Sequence, residues 1–370
     1  MGDGTRLVLA GDVMTGRGVD QVLPSPGAPD LREDLVRDAR TYVDLAERVS
    51  GPIPKPVDAA WPWGDVLAEM DAVGPAVRVM NLETSVTLSD DVALGKAVTY
   101  RMSPANLGVL TIAKVDIWAL ANNHVLDYGS AGLVETLDTM SGAGLRTSGA
   151  GRDDSEAWRP AVAAPSGGGP RVLVSSVADV SSGVPPQWAA GPDHPGVALL
   201  PDLSLAAADT LVDRMRVSAQ QGDILVVSVH WGGNWGYGVP HAHRRFAHRL
   251  VDGGVHVVHG HSSHHPRPGE VYRDRLVLYG CGDLVNDYEG IGGYEEFRDD
   301  LRLLYVVTLD SGTGELVGMR MVPFRARRLS LERASAPDAR WLAEALDRAG
   351  RGLGARVQVA QDGVLEFLHR

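Results

Sequence analysis

The chain has 370 residues and a formal net charge of −12, from 35 Lys and Arg against 47 Asp and Glu with His neutral. That balance excludes a simple nucleic-acid or anionic-membrane binder, since both need an excess of cations to neutralise phosphate. With 44% hydrophobic and 22% charged residues it is a folded globular protein with a large core, either two domains or one α/β domain with insertions. Its single Cys, Cys281, allows neither an intramolecular disulfide nor a Cys-rich zinc site.

In chain order, the first strand-like run is 6–10, ending on Gly11-Asp12. With its flanks it is far too short for a secretory signal or a membrane span, and no later run reaches the ~18 to 20 apolar residues a span needs. The expectation is a soluble cytoplasmic protein without a membrane anchor. Residues 21–63 are rich in Pro and charge around a helix near 32–49, and read as an insertion that either caps a site or runs over the surface. Further strand-like runs follow at 76–80 before Asn81-Leu82-Glu83, 115–121 before Asn122-Asn123-His124, and 223–229 before His230-Trp231. Two more are 255–258, before the His-rich stretch 259–265, and 275–279, before Gly280-Cys281-Gly282-Asp283. Helix-like segments at 131–141, 205–220 and 243–252 lie between them, so the expected class is α/β with a largely buried sheet. The chain closes with a hairpin over 301–309 and 316–323, a helix at 337–351 and a strand pair near 357–368. We therefore expect one domain over 1–324 with an extension, 325–370, packing on it.

Ligands of such sheets bind beyond the carboxyl ends of the strands, so the polar strand ends should converge. Asp12, Glu83, Asn123, His230 and His261 each stand at such an end, and carboxylate, amide oxygen and imidazole are the donors of a hard or borderline metal ion. Any one alone is equally well a cap, a turn residue or a hydrogen-bonded His; five from five strands point to a metal site. His124 and Asp127, three apart, let a carboxylate orient an imidazole for proton transfer. His264 or His265 can pair likewise with Asp283 or Asp287, or else lie in a solvated loop. Lys96 and Arg101 are candidates to clamp a substrate carboxylate, with a surface ion pair to Asp90 or Asp91 as the alternative. Trp231, Trp235 and Tyr237 either wall the pocket or belong to the core. His241, His243 and His248 read as a solvated helix face.

The blocks Gly11-Asp12-Val13-Met14-Thr15-Gly16-Arg17, Asn81-Leu82-Glu83-Thr84, Ala121-Asn122-Asn123-His124, Val229-His230-Trp231-Gly232, Gly260-His261-Ser262-Ser263-His264-His265 and Tyr279-Gly280-Cys281-Gly282-Asp283 together resemble the CapA family of poly-γ-glutamate biosynthesis, over about 7–324. The resemblance implies a calcineurin-like metallophosphoesterase fold, with two mixed β-sheets in a sandwich flanked by helices and a metal site at the strand ends. Phosphoesterases of that fold open with Asp-x-His, whereas here Met14 follows Asp12 by two. A thioether is a poor ligand for Mg, Mn or Ca, so a single divalent ion is expected, Ca before Mn or Mg, with no organic cofactor. Within the family the chain looks like the soluble branch of the lasso-peptide epimerase MslH. That likeness implies Cα epimerisation of the C-terminal Trp of a precursor peptide, one arrangement being delivery by a leader-peptide-binding protein. A capsule-polymer biosynthesis role and a metallophosphoesterase are the alternatives.

Overall fold

Strand Gly4–Val13 sends alternate side chains into two hydrophobic layers: Leu7 and Leu9 enter one, Val8 and Ala10 the other, and all four are fully buried. A strand covered on both faces reads as a continuous apolar run, which is why periodicity alone did not separate its faces. The computed structural model describes residues 4–74 and 76–369; Met1 to Asp3, part of the N-terminal reading above, lie outside the described residues.

Among the described residues the chain forms a ten-stranded and a six-stranded sheet, both mixed, besides two small two-stranded pairings. In the larger sheet Gly4–Val13 runs parallel to Val77–Leu82 and Asp283–Val285 and antiparallel to Leu301–Asp310. In the smaller sheet Ile224–His230 lies between Val172–Ala178 and Val257–His261, parallel to both. Leu7, Leu9 and Val79 of the first meet Val174, Val226 and Leu278 of the second in a shared core. Helices Val66–Ala72 and Gly129–Gly142 cover the outer face of the larger sheet, and Leu205–Ser218 and His241–Asp252 that of the smaller. This is the expected sandwich of two mixed sheets flanked by helices.

Strand Val172–Ala178 is absent from the sequence reading, although it is buried throughout. Ser175-Ser176 interrupts its apolar run, and the structure gives the second serine work: Ser176 Oγ accepts from the Ala121 N–H at 3.2 Å, joining the two sheets. The final strands, Arg356–Val359 and Leu365–Leu368, extend the larger sheet through Leu316–Arg327. Among the described residues no helix is long and apolar enough to cross a membrane.

In the 21–63 segment the helix is confined to Arg40–Ser50, and 30–39 forms a turn closed by Leu31 N–H to Arg37 O at 3.0 Å. One buried side chain ties this segment to the sheet. Arg17, at φ 48° and 3% exposed, donates from Nε and Nη2 to Asp287 at 3.1 and 2.5 Å, and from Nη1 to Glu33 and Tyr42 at 3.1 and 3.0 Å. Its guanidinium also lies 3.8 Å from the Tyr42 ring centroid and 4.2 Å from that of Tyr100. Replacing it leaves Asp287 and Glu33 buried without a counter-charge, so Arg17→Met should cost about 3 to 5 kcal/mol in urea unfolding. A loss within about 1 kcal/mol would show that the segment is held by other contacts.

Candidate metal centre and proton-transfer groups

The position of Asp12 follows from a bulge. Ala10 pairs with Met80 but Asp12 with Asn81, so Gly11 is the extra residue that re-aims the carboxylate out of the ladder. Only glycine fits there, because a Cβ on Gly11 would lie 1.9 Å from the carbonyl oxygen of Gly282. That carbonyl receives the Asp12 N–H at 3.1 Å.

The other four expected metal donors gather around Asp12. His230 and His261 are the terminal residues of adjacent parallel strands, in register, with their Nδ1 atoms 2.9 Å apart. Asp12, His230 and His261 offer one donor atom each within 4.8 Å of one another, and Asp12, His264 and Asp283 form a second such group. Asn123 Oδ1 is 3.1 Å from His230 Nε2, and Glu83 Oε1 is 3.9 Å from the same nitrogen. All but Asn123 are buried. Burial, then the neighbouring Asp283, pushes the Asp12 carboxyl up to about 7, and burial with Asp12 and Asp283 raises Glu83 well above the usual carboxylate range. Burial also holds His230 and His261 well below the ordinary imidazole value, in the neutral form that ligates. Carboxyl groups crowded against neutral imidazoles fit a divalent cation, which would let the acids ionise together.

A polar shell supports this set. Asn81 Nδ2 donates to Asp12 Oδ1 at 2.8 Å and Glu83 Oε2 at 3.1 Å, and is oriented by Asn122 Nδ2 at 3.0 Å from its Oδ1. The Ser262 N–H reaches Asp12 Oδ2 at 3.1 Å from a residue at φ 97°, a conformation rare outside glycine. Ser228 Oγ lies 2.9 Å from His261 Nε2 and 3.1 Å from His259 Nδ1, while His259 Nε2 is 2.9 Å from Ala10 O across the sheets. Sequence reasoning assigned no role to Asn81, Asn122, Ser228 or His259, although the first two sit inside the quoted blocks.

Two His–Asp dyads flank the carboxyl cluster. His124 Nδ1 is 2.6 Å from Asp127 Oδ2, which also accepts the Tyr100 N–H at 2.7 Å; Lys96 Nζ lies 3.2 Å from the other oxygen. His124 Nε2 is 3.8 Å from Glu83 Oε1. On the other side His264 Nδ1 is 3.0 Å from Asp283 Oδ1, and Asn286 Nδ2 holds Asp283 Oδ2 at 2.7 Å. Burial lowers His124 to about 4 against the opposing pull of Asp127. At His264 burial again favours the neutral ring, but the charge and hydrogen bond of Asp283, with Asp12, outweigh it and raise the value. The surroundings thus keep the His124 ring neutral and favour the charged form of the His264 ring. Tyr100 packs edge-on against His124, Tyr288 edge-on against His264, and their hydroxyls are 3.0 Å apart.

Five expectations are corrected. Asp287 is consumed by Arg17 and pairs with no His. His265 bonds through Nδ1 to Pro266 O at 3.0 Å and packs between Tyr237 and Phe297, away from any carboxylate bond. Arg101 is no free clamp: it donates to Asp90 Oδ1 at 2.7 Å and Ser89 O at 2.8 Å, the ion pair named as the alternative. Trp231, one residue past His230, faces the opposite side and stacks in the core on His243 and Tyr279; His243 is therefore buried rather than solvated. Lys96 and Trp235 do stand at the site, the latter half-buried with its ring 5.5 Å from that of His264.

The family described as bacterial capsule synthesis protein PGA_cap matches residues 6–288. A probable polyglutamine synthesis accessory protein of Mycobacterium tuberculosis is 49% identical over 99% of this chain and 96% of its own. The PGA biosynthesis protein CapA of Bacillus subtilis is 26% identical over 83% of this chain and 68% of its own. Among solved structures, TT1561 of Thermus thermophilus aligns over 85% of this chain and 97% of its own with a TM-score of 0.37 and 9% identity.

If Asp12 and His230 hold a cation, Asp12→Ala and His230→Ala should each drop bound divalent metal, measured by elemental analysis after loading and desalting, from about one ion per chain to about a tenth of that or less. Arg101→Met should retain it. Wild-type metal content in both ligand variants would refute the assignment.

Proposed function

Because the chain belongs to the bacterial capsule synthesis protein family PGA_cap, we propose that it is a CapA-type enzyme acting on a carboxylate-bearing glutamyl chain, as an accessory of polyglutamine or poly-γ-glutamate synthesis. The observation behind an enzymatic role is the pair of His–Asp dyads on either side of Asp12, one held neutral and one favouring the proton.

In this reading Asp12, His230 and His261 hold the cation, with Glu83, Asn123 and Asp283 close by. When bound, a divalent ion supplies Lewis-acid polarisation of a substrate oxygen. Two imidazoles beside Asp12 move the expected ion from Ca toward a borderline one such as Mn. His124, fixed at Nδ1 by Asp127, takes a proton at Nε2, and His264, fixed at Nδ1 by Asp283, returns one from Nε2. Lys96, drawn to the site by Asp127, meets a substrate carboxylate, and Trp235 shields the His264 side from water.

A second reading keeps the same groups and changes the bond. Inversion at Cα of a peptide needs a base on one face and an acid on the other, and the opposite directions in which their surroundings push His124 and His264 match that demand. Phosphoester hydrolysis is the reading that Met14, in place of a second histidine ligand, disfavours.

Metal-loaded protein incubated in deuterated water with γ-glutamyl and glutamine oligomers separates these outcomes. A change in oligomer length by mass spectrometry supports the first reading; deuterium at Cα with unchanged length supports the second. His124→Ala and His264→Ala should each lower turnover about 100-fold or more while retaining the metal. No turnover and no exchange on either substrate would overturn the acid–base assignment.

A further inference from the structure

A groove of about 630 Å³ lies beside Tyr288, between Val49 and Ser50 at the end of helix Arg40–Ser50 and the strand Leu316–Arg327. Five arginines line it, and four are taken up by carboxylates. Arg298 is 2.7 Å from Asp300 and from Asp338, Arg325 is 3.0 Å from Asp300, Arg327 is 3.8 Å from Glu332, and Arg333 is 3.4 Å from Glu69.

Arg302 is the exception. It is 1% exposed, yet among the described residues no carboxylate lies within ion-pair distance of it. Its terminal nitrogens donate to the carbonyl oxygens of Asp299 and Leu301 and to Asn286 Oδ1 at 2.8 Å, and its Nε has no acceptor. Carbonyl dipoles satisfy these donors and the Asp299 and Asp300 carboxylates act on the guanidinium from beyond ion-pair distance, so what the buried group lacks is a direct counter-charge and an acceptor for its Nε. A carboxylate entering from the groove would supply a direct counter-charge and the missing acceptor, with the fork geometry that guanidinium favours. Five of the six carboxylates lining the groove are engaged elsewhere: Asp300 and Asp338 by Arg298, Glu332 by Arg327, Glu289 by the Leu329 N–H at 3.2 Å and Glu295 by the Gly293 N–H at 2.9 Å; the sixth, Asp299, faces Arg302 only from beyond ion-pair distance.

We propose that this groove is a second binding site, for the carboxylate of a ligand, with Arg302 as its anchor. The site also touches the chemistry, since Asn286 accepts from Arg302 and donates to Asp283, the partner of His264. A glutamyl chain long enough to reach both places would seat one carboxylate here while another part of it meets the dyads. That identification of the carrier rests on the proposed function; the carboxylate site itself does not.

Calorimetric titration of glutarate and of γ-glutamylglutamate into the full chain tests this. Binding should survive Lys96→Ala, which removes the cation at the dyads, and weaken at least tenfold in Arg302→Gln and in Val49→Trp, which fills the groove from an exposed position. Tighter binding of γ-glutamylglutamate than of glutarate assigns the carboxylate to a chain, and equal binding assigns it to a free dicarboxylate. Binding that disappears with Lys96→Ala but persists in the groove variants, or no binding of either compound, would overturn the site. Should Arg302→Gln fail to fold by circular dichroism, Val49→Trp decides alone. Oligomer turnover read on the same samples keeps the two questions apart: carboxylate binding without turnover counts against the catalytic reading and leaves the groove standing.

Discussion

Three carboxyl groups, those of Asp12, Glu83 and Asp283, are buried within reach of one another, and the arrangement of the strand ends answers to that single constraint. Buried like charges cannot all ionise without compensation, so the acids are surrounded by donors: the Asn81 amide, the Ser262 N–H, the Asn286 amide and the ring of His264. The bulge at Gly11, the close passage of Gly282 and the strained Ser262 backbone all serve to bring those donors around Asp12. Local strain of this kind persists where the surrounding structure over-determines it, and here two sheets do so.

The same constraint separates the two imidazoles that face the cluster. His264 is hydrogen-bonded to one of the crowded acids and borders another, so its charged form is stabilised despite burial. His124 also has a carboxylate, but Asp127 shares its charge with Lys96, and burial prevails. Similar residue pairs are thus pushed in opposite directions because their second neighbours differ. Around them a further buried charge, Arg17, binds the 21–63 segment, the end of the first strand and the loop after Asp283 into one unit, so the walls of the site are electrostatically locked rather than merely packed.

Much of this is visible along the chain. The strands ending on Asp12, Glu83, Asn123 and His261 stand out because buried strands read as apolar runs and their polar endpoints break them abruptly. Strand Val172–Ala178 does not stand out, since its interior serines resemble a turn until Ala121 and Ser148 are known to lie opposite them. The His124–Asp127 pair is local, three residues apart across one turn, and could be read directly; the His264–Asp283 pairing was one of several combinations that spacing allowed. Arg101, Trp231, His265 and Asp287 look equally suited to a site on paper. Each is diverted by a partner distant in sequence or by facing away: Arg101 to Asp90 and the Ala28 carbonyl, Trp231 to the core behind its strand, His265 to an aromatic cluster, and Asp287 to Arg17.

By itself, then, the order of residues determines most of the strands, the class of fold and the chemical types gathered at the strand ends, because those follow from local periodicity and from side-chain chemistry. Which of the candidates meet is a tertiary matter. Hydrogen bonds and ion pairs between residues as far apart as Arg17 and Asp287, or Ser262 and Asp12, depend on how two sheets stack and which face each side chain takes. The protonation preferences depend on burial, which exists only once the sheets have closed over the cluster.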